Sequence, residues 1–399
     1  MRLLALLLAL AACTASEAPR NIEPVAAGGG YQAQYREPDV TRAATPAPFL
    51  RSAAINASRC LPERGGGYGK LTGAIAAALD GERLSRGDLV DLRVEEDDTF
   101  TDAYEVSRDG TLKLPFIAPV RAQGRTPAEV QGEIARRLVA NGFYDERPRV
   151  SVLVTDFAPV RVAVAGAVFE PRALSLGAAS GADVDRLRQA ALGASTEARN
   201  LSAALQAAGG IRPDADLSAV ELRRNGQLYL LDLRGVFEGT DIADVILVTG
   251  DEITVRSREC FQDELMRPSP VSPPGVTLFL SNLTVPATGN AESAIGREVR
   301  EVPWGTRYMQ AVIDTNCVGG TKPTSATRSA VLFSRNPITG VSAVIERDIE
   351  DLLRRADRDD YDPYLLPGDA IACYDSAITG VADVARVVIG VGAAVTPFD

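Results

Sequence analysis

The 399-residue sequence contains no histidine, and this absence excludes much of the common catalytic and metal-binding chemistry. A Ser-His-Asp triad needs an imidazole as its base, and the usual zinc sites use histidine or paired cysteines. The sequence has no Cys-X-X-Cys pair and no Gly-X-Ser-X-Gly motif. We therefore expect no enzymatic activity, no metal and no cofactor. Cleavage of a carbohydrate by two carboxylates stays open as an alternative, because such a pair cannot be found from sequence.

Basic residues are also in short supply. The chain has 42 Lys and Arg against 53 Asp and Glu, a formal net charge of −11. Nucleic acid requires a basic face, so we expect no nucleic-acid partner. The densest acidic runs, residues 94–102 and 346–362, lack the spacing of a calcium-binding loop. We interpret both runs as solvated surface.

The first residues have the pattern of a bacterial secretion signal. Arg2 precedes an apolar run, Leu3–Leu10, which is too short to span a bilayer and is followed by small residues and Cys13. Leu10–Cys13 resembles a lipobox, which predicts a signal peptide over residues 1–12 and acylation of Cys13 by membrane lipid. Thr14 stands where an aspartate would indicate inner-membrane retention, so we expect the outer membrane. The alternative is an ordinary signal peptide with a chance cysteine.

Residues 13–80 are rich in Ala, Gly, Pro and Arg without periodicity, and we interpret them as a lipidated tether. Four further cysteines remain, Cys60, Cys260, Cys317 and Cys373. An even number in an oxidising compartment indicates disulfides, and four cysteines allow three pairings.

Regular structure is expected from about residue 81. Residues 87–94 alternate apolar and polar side chains as a half-buried strand does, and Asp109-Gly110 separates two strand-like runs as in a hairpin. A helix is predicted to begin after Thr126, with Pro127 in its first turn and Glu129 completing a capping box. Its apolar stripe should face a sheet, and Gly142 should end it. The stripe consists of Val130, Ile134 and Leu138.

Gly-Asp pairs recur three times, each before a strand-like run. They are Gly87-Asp88, Gly250-Asp251 and Gly368-Asp369. Glycine allows a positive φ, and the aspartate can bond to the backbone of its own turn. We interpret all three pairs as structural turns.

Residues 376–399 predict an amphipathic transmembrane helix. Ser376, Thr379, Asp383 and Arg386 fall on one narrow stripe at 100° per residue, and valines and isoleucines cover the remaining faces. Twenty residues reach about 30 Å, the thickness of the hydrocarbon layer. One helix cannot enclose water, so the stripe would line a pore shared by several subunits. The alternative is a buried strand at residues 384–389.

Three segments, residues 84–94, 104–138 and 147–154, resemble the polysaccharide-export domain of the outer-membrane polysaccharide export family. We place this domain at residues 81–158. Residues 159–258 resemble a soluble-ligand-binding β-grasp domain, with a helix ending in Ala-Gly-Gly and a closing Gly-Asp strand. Residues 259–375 repeat this order in weaker form. The expected fold class is therefore multidomain α+β, an export domain followed by two β-grasp-like domains and the C-terminal helix.

The resemblance implies an outer-membrane lipoprotein that exports capsular or extracellular polysaccharide through a channel. Such a protein belongs to a Gram-negative bacterium, and most of its chain is periplasmic. The resemblance also implies a homo-oligomeric ring of about eight subunits and an inner-membrane polysaccharide co-polymerase as partner. It implies a disulfide between Cys317 and Cys373, which leaves Cys60 and Cys260 as the other pair. The alternative function is a periplasmic lipoprotein that binds a carbohydrate or another ligand and forms no pore.

Overall fold

The computed structural model describes residues 59–66, 76, 78–177, 197–240, 242, 244–282, 299–314, 329–349, 352 and 361–374. The chain divides into two compact units. The first unit comprises Leu61–Arg258 and Ser269–Pro273. The second unit comprises Met1–Cys60, Glu259–Pro268 and Pro274–Asp399.

The first unit opens with a three-stranded antiparallel sheet in the order β2-β1-β5. Its strands are β1 (Leu89–Val94), β2 (Asp97–Glu105) and β5 (Val150–Asp156). Strand β1 lies in the middle, and its alternating residues Val90, Leu92 and Val94 are buried in the core. The alternation of apolar and polar side chains in the sequence therefore corresponds to a strand with one face in the core.

The hairpin expected around Asp109-Gly110 needs a correction. The turn itself forms, with Gly110 at φ 78° and the N–H of Ser107 bonded to the carbonyl of Thr111. However, β2 pairs with β1, and the short strand β3 (Thr111–Leu112) pairs with β4 (Val120–Arg121). The long hairpin turns at Glu96, which has a φ of 61°. A glutamate with a positive φ is uncommon, so the turn propensities of the residues in the sequence did not predict this turn.

Helix α1 (Pro127–Ala140) has the predicted ends. Thr126 caps it, and the reciprocal bonds between Thr126 and Glu129 form the capping box. Gly142 follows the helix at φ 76°. The predicted stripe is buried against the sheet, and its members Val130, Ile134 and Leu138 are fully excluded from solvent.

A five-stranded sheet completes the first unit, in the order β7-β6-β10-β8-β9. The strands are β6 (Val160–Gly166), β7 (Arg172–Leu176), β8 (Ala215–Arg224), β9 (Gln227–Leu231) and β10 (Glu252–Ser257). Strand β10 runs parallel to β6, and the other neighbours are antiparallel. A 3₁₀ turn at Glu197–Arg199 and the helices α2 (Leu201–Ala207) and α3 (Gly235–Glu238) accompany it.

The second unit contains another five-stranded sheet, in the order β12-β11-β15-β13-β14. Its strands are β11 (Val276–Asn282), β12 (Val299–Val302), β13 (Ser329–Arg335), β14 (Ser342–Asp348) and β15 (Ala370–Tyr374). Counted from its own first strand, this order is the same as in the first unit, and β15 is likewise parallel to β11. A 3₁₀ helix, Asp263–Met266, and helix α4 (Tyr308–Asp314) belong to it. The repeat in the sequence thus corresponds to one topology used twice.

The molecule is a mixed α and β protein, as expected for the α+β class. Within the described ranges, no helix is both long enough and apolar enough to cross a membrane. Residues 376–399, where the transmembrane helix is expected, lie outside those ranges. The domain boundaries given above stay predictions.

Candidate functional site

The three Gly-Asp turns share one geometry. Their glycines have φ values of 87° at Gly87, 98° at Gly250 and 88° at Gly368. In each turn the aspartate Oδ2 accepts a hydrogen bond from the backbone N–H three residues earlier. The N···O distances are 2.7 Å from Ser85 to Asp88, 2.9 Å from Val248 to Asp251 and 2.9 Å from Leu366 to Asp369. The aspartate thus closes its own turn, which leaves Oδ1 for another partner.

In the first turn this partner is a buried arginine. Arg199 Nη1 donates to Asp88 Oδ1 at 2.9 Å, and the side chains are 1% and 0% exposed. The same oxygen accepts the N–H of Ala158 at 2.9 Å. Burial raises the pKa of Asp88, and the positive charge of Arg199 opposes this rise. The guanidinium also lies over the ring of Phe157, 5.0 Å from its centroid.

The second turn has an arginine from its own sheet. Arg224, the last residue of β8, donates to Asp251 through Nε at 2.9 Å and through Nη2 at 2.7 Å. Its Nη2 also reaches the carbonyl of Ile246 at 2.7 Å. Both charged side chains are almost fully buried. Two parallel hydrogen bonds of this kind fix the position of the turn relative to β8.

The third turn has no arginine at the equivalent place. Ser334 occupies the position of Arg224, because Phe333 pairs with Ala370 as Arg223 pairs with Glu252. Its hydroxyl donates to Asp369 Oδ1 at 2.6 Å. Burial raises the pKa of Asp369 to about 7, although the bonds from Ser334 and Leu366 oppose the rise. Asp369 is therefore a buried carboxyl group that titrates near neutral pH.

The first and second turns are joined to each other inside the first unit. The backbone N–H of Thr249 donates to Ser85 Oγ at 3.0 Å, and Gln123 Nε2 donates to the carbonyl of Thr249 at 3.0 Å. With the Arg199–Asp88 pair, these bonds link the region of the three-stranded sheet to that of the first five-stranded sheet.

A short segment, Leu61–Gly66, is bound along the first five-stranded sheet, and we call it the strap. Its backbone is held at both ends, by Leu61 N–H to the carbonyl of Arg258 at 2.8 Å and by Gly65 N–H to Ser218 Oγ at 2.9 Å. One acidic and one basic side chain of the strap add ion pairs. Glu63 pairs with Arg234 at 2.6 Å and with Arg258 at 3.3 Å, and Arg64 pairs with Glu221.

Strand β8, under the strap, carries unusual buried polar residues. Glu221 also pairs with Arg256, at 3.0 and 3.1 Å, and these bonds are the main reason that the pKa of Glu221 is lowered. Asp216 Oδ2 accepts the N–H of Arg64 at 3.0 Å. The strap therefore supplies partners for two carboxylates of this strand, as buried charges require.

The acidic run at residues 94–102 covers the end of β1, the turn at Glu95 and Glu96, and the first part of β2. Glu95 and Glu96 are exposed, in agreement with a solvated face. A hydrogen bond from the hydroxyl of Tyr144 lowers the pKa of Asp97. Burial raises the pKa of Tyr144 to about 12, and the hydrogen bond to Asp97 adds to this rise. Among the residues that the structure describes, no group of three potential ligands could hold a metal ion.

Two of the candidate cysteines form a disulfide in the second unit. Cys60 and Cys260 are bonded with Cα atoms 5.0 Å apart. Cys373, on β15, is also disulfide-bonded. Its expected partner Cys317 lies outside the described residues.

Other predicted site residues lie outside the described ranges as well. They are the lipidation residue Cys13 and the pore-lining residues Ser376, Thr379, Asp383 and Arg386. The structure brings together two of the three Gly-Asp turns, and it adds Arg199 and Arg224, which sequence reasoning missed. The sequence gives little signal for either arginine, because polar residues surround Arg199 and Arg224 follows another arginine, Arg223.

A comparison with known protein families finds a match in the part of the chain that contains the three-stranded sheet. Residues 76–155, which contain the three-stranded sheet, β3, β4 and α1, match the family model described as polysaccharide biosynthesis/export protein. This confirms the resemblance to the polysaccharide export family on the residues from which it was inferred. The chain carries a polysaccharide-export domain, and this domain supports a role in polysaccharide export.

Proposed function

We propose that the protein is a lipid-anchored component of the outer membrane that exports a capsular or extracellular polysaccharide through an oligomeric channel. The observation that carries this proposal is the match of residues 76–155 to the polysaccharide biosynthesis/export model. The two five-stranded sheets with one strand order support it, because the family resemblance implies two β-grasp-like domains behind the export domain.

The proposed anchor is the acylated Cys13. Leu10–Cys13 has the lipobox pattern after an apolar run, and several acyl chains together hold a protein stably on a membrane. Mass spectrometry of the purified protein is expected to find a lipid-modified Cys13 as the first residue. An unmodified N-terminus at another residue would contradict the lipoprotein assignment.

The proposed pore consists of one C-terminal helix from each subunit, residues 376–399. Ser376, Thr379, Asp383 and Arg386 would face the water-filled lumen, and the valines would contact lipid. The ring would receive polysaccharide from an inner-membrane co-polymerase. We propose no catalytic step, since transport through a pore requires only a hydrated path and the chain has no histidine.

Deletion of residues 378–399 tests the pore. We expect a folded, lipidated protein that no longer restores surface polysaccharide in a strain lacking the chromosomal gene. Asp383→Leu should also reduce export, because it removes a charge from the polar stripe. Val388→Leu, on the apolar face of the same helix, is the matched control and should export normally.

Normal surface polysaccharide in the truncated strain would refute the pore. The alternative, a periplasmic binding lipoprotein, would then be favoured if the truncated protein still bound polysaccharide. Release of shortened polysaccharide by the purified protein would instead indicate a carboxylate-based enzyme.

A further inference from the structure

A polar cleft of about 230 Å³ lies in the first unit, beside the second Gly-Asp turn. Its walls come from the region that matches the export family and from the first five-stranded sheet. The lining residues are Arg86, Gln123, Arg223, Asn225, Gly226 and residues 248–252. Its volume is below the roughly 300–1,000 Å³ of sites for drug-sized ligands, so it suits one sugar-sized group.

Arg86 is the first positive group of the cleft. Its guanidinium donates from Nε to Gln123 Oε1 at 2.9 Å, and Gln123 in turn donates to the carbonyl of Thr249. Gly110 makes room for this glutamine, because a Cβ there would lie 2.7 Å from Gln123 Oε1. Within the described parts of the chain, no carboxylate forms an ion pair with Arg86. An oriented, uncompensated arginine is notable in a chain with a net charge of −11.

Arg223 is the second positive group, one residue before the buried Arg224. Its Nε lies 3.7 Å from Glu252 Oε2, and both side chains are more than half exposed. An exposed pair at this distance contributes little free energy, so Arg223 remains able to bind another anion. The remaining carboxylate of the cleft, Asp251, is already neutralised by Arg224.

Two glycines line the cleft. Gly226 and Gly250 have positive φ values, and a Cβ on either residue would meet no atom within 4 Å. Both glycines therefore leave open space where a side chain would otherwise project. Asn225, also at positive φ, adds an amide that can donate to and accept from hydroxyl groups.

We propose that this cleft binds a carboxylate-bearing sugar residue of the exported polysaccharide. Arg86 and Arg223 would bind the carboxylate, and Asn225 would contact ring hydroxyls. Charge-assisted hydrogen bonds from arginine are the strong ones, and arginine matches the planar geometry of a carboxylate. The inference rests on the proposed export function, and it specifies an acidic polysaccharide as substrate.

The test is binding of defined oligosaccharides to the full-length, detergent-extracted protein. Calorimetry with tetragalacturonate is compared with neutral maltotetraose. We expect tighter binding of tetragalacturonate and a loss of roughly tenfold or more in affinity for Arg86→Gln or Arg223→Gln, the size of one charged hydrogen bond. Glu252→Gln should have the opposite effect and raise the affinity, because it removes a competing carboxylate.

Arg136→Gln is the matched control, since Arg136 is an exposed arginine of α1 paired with Glu133 and does not line the cleft. Its affinity for tetragalacturonate should equal that of the wild type. Equal melting temperatures of the four variants and the wild type would show that folding is unaffected.

Equal binding of the acidic and neutral probes, no binding of either, or unchanged affinity in both arginine variants would overturn the cleft assignment. A failure of the cleft assignment would leave surface export by the full-length protein in the living strain intact. A failure of the proposed function would instead appear as normal surface export by the protein that lacks residues 378–399. The two failures are therefore distinguishable.

Discussion

Arg199 and Asp88 form a salt bridge with an Nη1–Oδ1 distance of 2.9 Å in which both side chains are excluded from solvent. Removal of one partner leaves the other charge buried, which typically costs about 3–5 kcal/mol. We expect Arg199→Met to lower the free energy of unfolding by this order, measured by urea denaturation. The double variant Arg199→Met, Asp88→Asn should recover part of the loss.

The control for this variant is Arg136→Gln, which breaks an exposed ion pair with Glu133. Such a pair contributes about 0–1 kcal/mol. Equal effects of Arg199→Met and Arg136→Gln would show that the buried pair does not stabilise the turn.

Asp369 makes the stability of the second unit pH-dependent. Burial raises its pKa to about 7, against 3.8 ordinarily. Between these values the folded state keeps a proton that the unfolded state has lost, so the free energy of unfolding falls as pH rises and levels off above about 7. The side chain in Asp369→Asn is neutral at every pH in this range, so the free energy of unfolding of this variant does not fall for this reason. Its melting temperature relative to the wild type should therefore be higher at about pH 8 than at about pH 5.

Asp251→Asn is the matched comparison in the first unit. It leaves the buried Arg224 without its charged partner, so we expect destabilisation at both pH values. A constant difference between Asp369→Asn and the wild type across this range would contradict the assignment of Asp369.

The disulfide between Cys60 and Cys260 closes a loop with a sequence separation of 200. In the chain-entropy model, a loop of this length stabilises the fold by about 5 kcal/mol. The double variant Cys60→Ser, Cys260→Ser should therefore unfold at a clearly lower urea concentration. Peptide mapping without reduction should recover the linked pair, and alkylation of both thiols in the native protein would disprove the bond.

The strap should depend on Glu63, which pairs with Arg234 and Arg258. We expect Glu63→Gln to speed hydrogen exchange at the backbone N–H groups of Arg64 and Gly65, because these two groups of the strap donate hydrogen bonds to side chains of β8. Glu82→Gln is the control, an exposed glutamate of the same unit. The same exchange rates in both variants would mean that the ion pairs do not hold the strap.

Local signals in the sequence predicted several elements well. The ends of α1 follow from Thr126, Glu129 and Gly142 alone, because capping is a short-range interaction. The Gly-Asp turns are equally local, since the aspartate bonds to a backbone N–H only three residues away. These features need no knowledge of distant parts of the chain.

The partners of those turns could not be predicted in the same way. Arg199 is 111 residues from Asp88, and only the folded chain brings them together. The turn at Glu96 was missed because a glutamate gives no signal for positive φ. Arg224 and Ser334 can be compared only after the strand register shows that each of them lies beside a Gly-Asp turn.

In the proposed channel, several copies of the chain surround a path for polysaccharide. Electron microscopy of the detergent-extracted, lipidated protein tests it most directly. We predict rings of about eight subunits with a central cavity, which is what the family resemblance implies. Particles that remain single subunits at every concentration would contradict the channel.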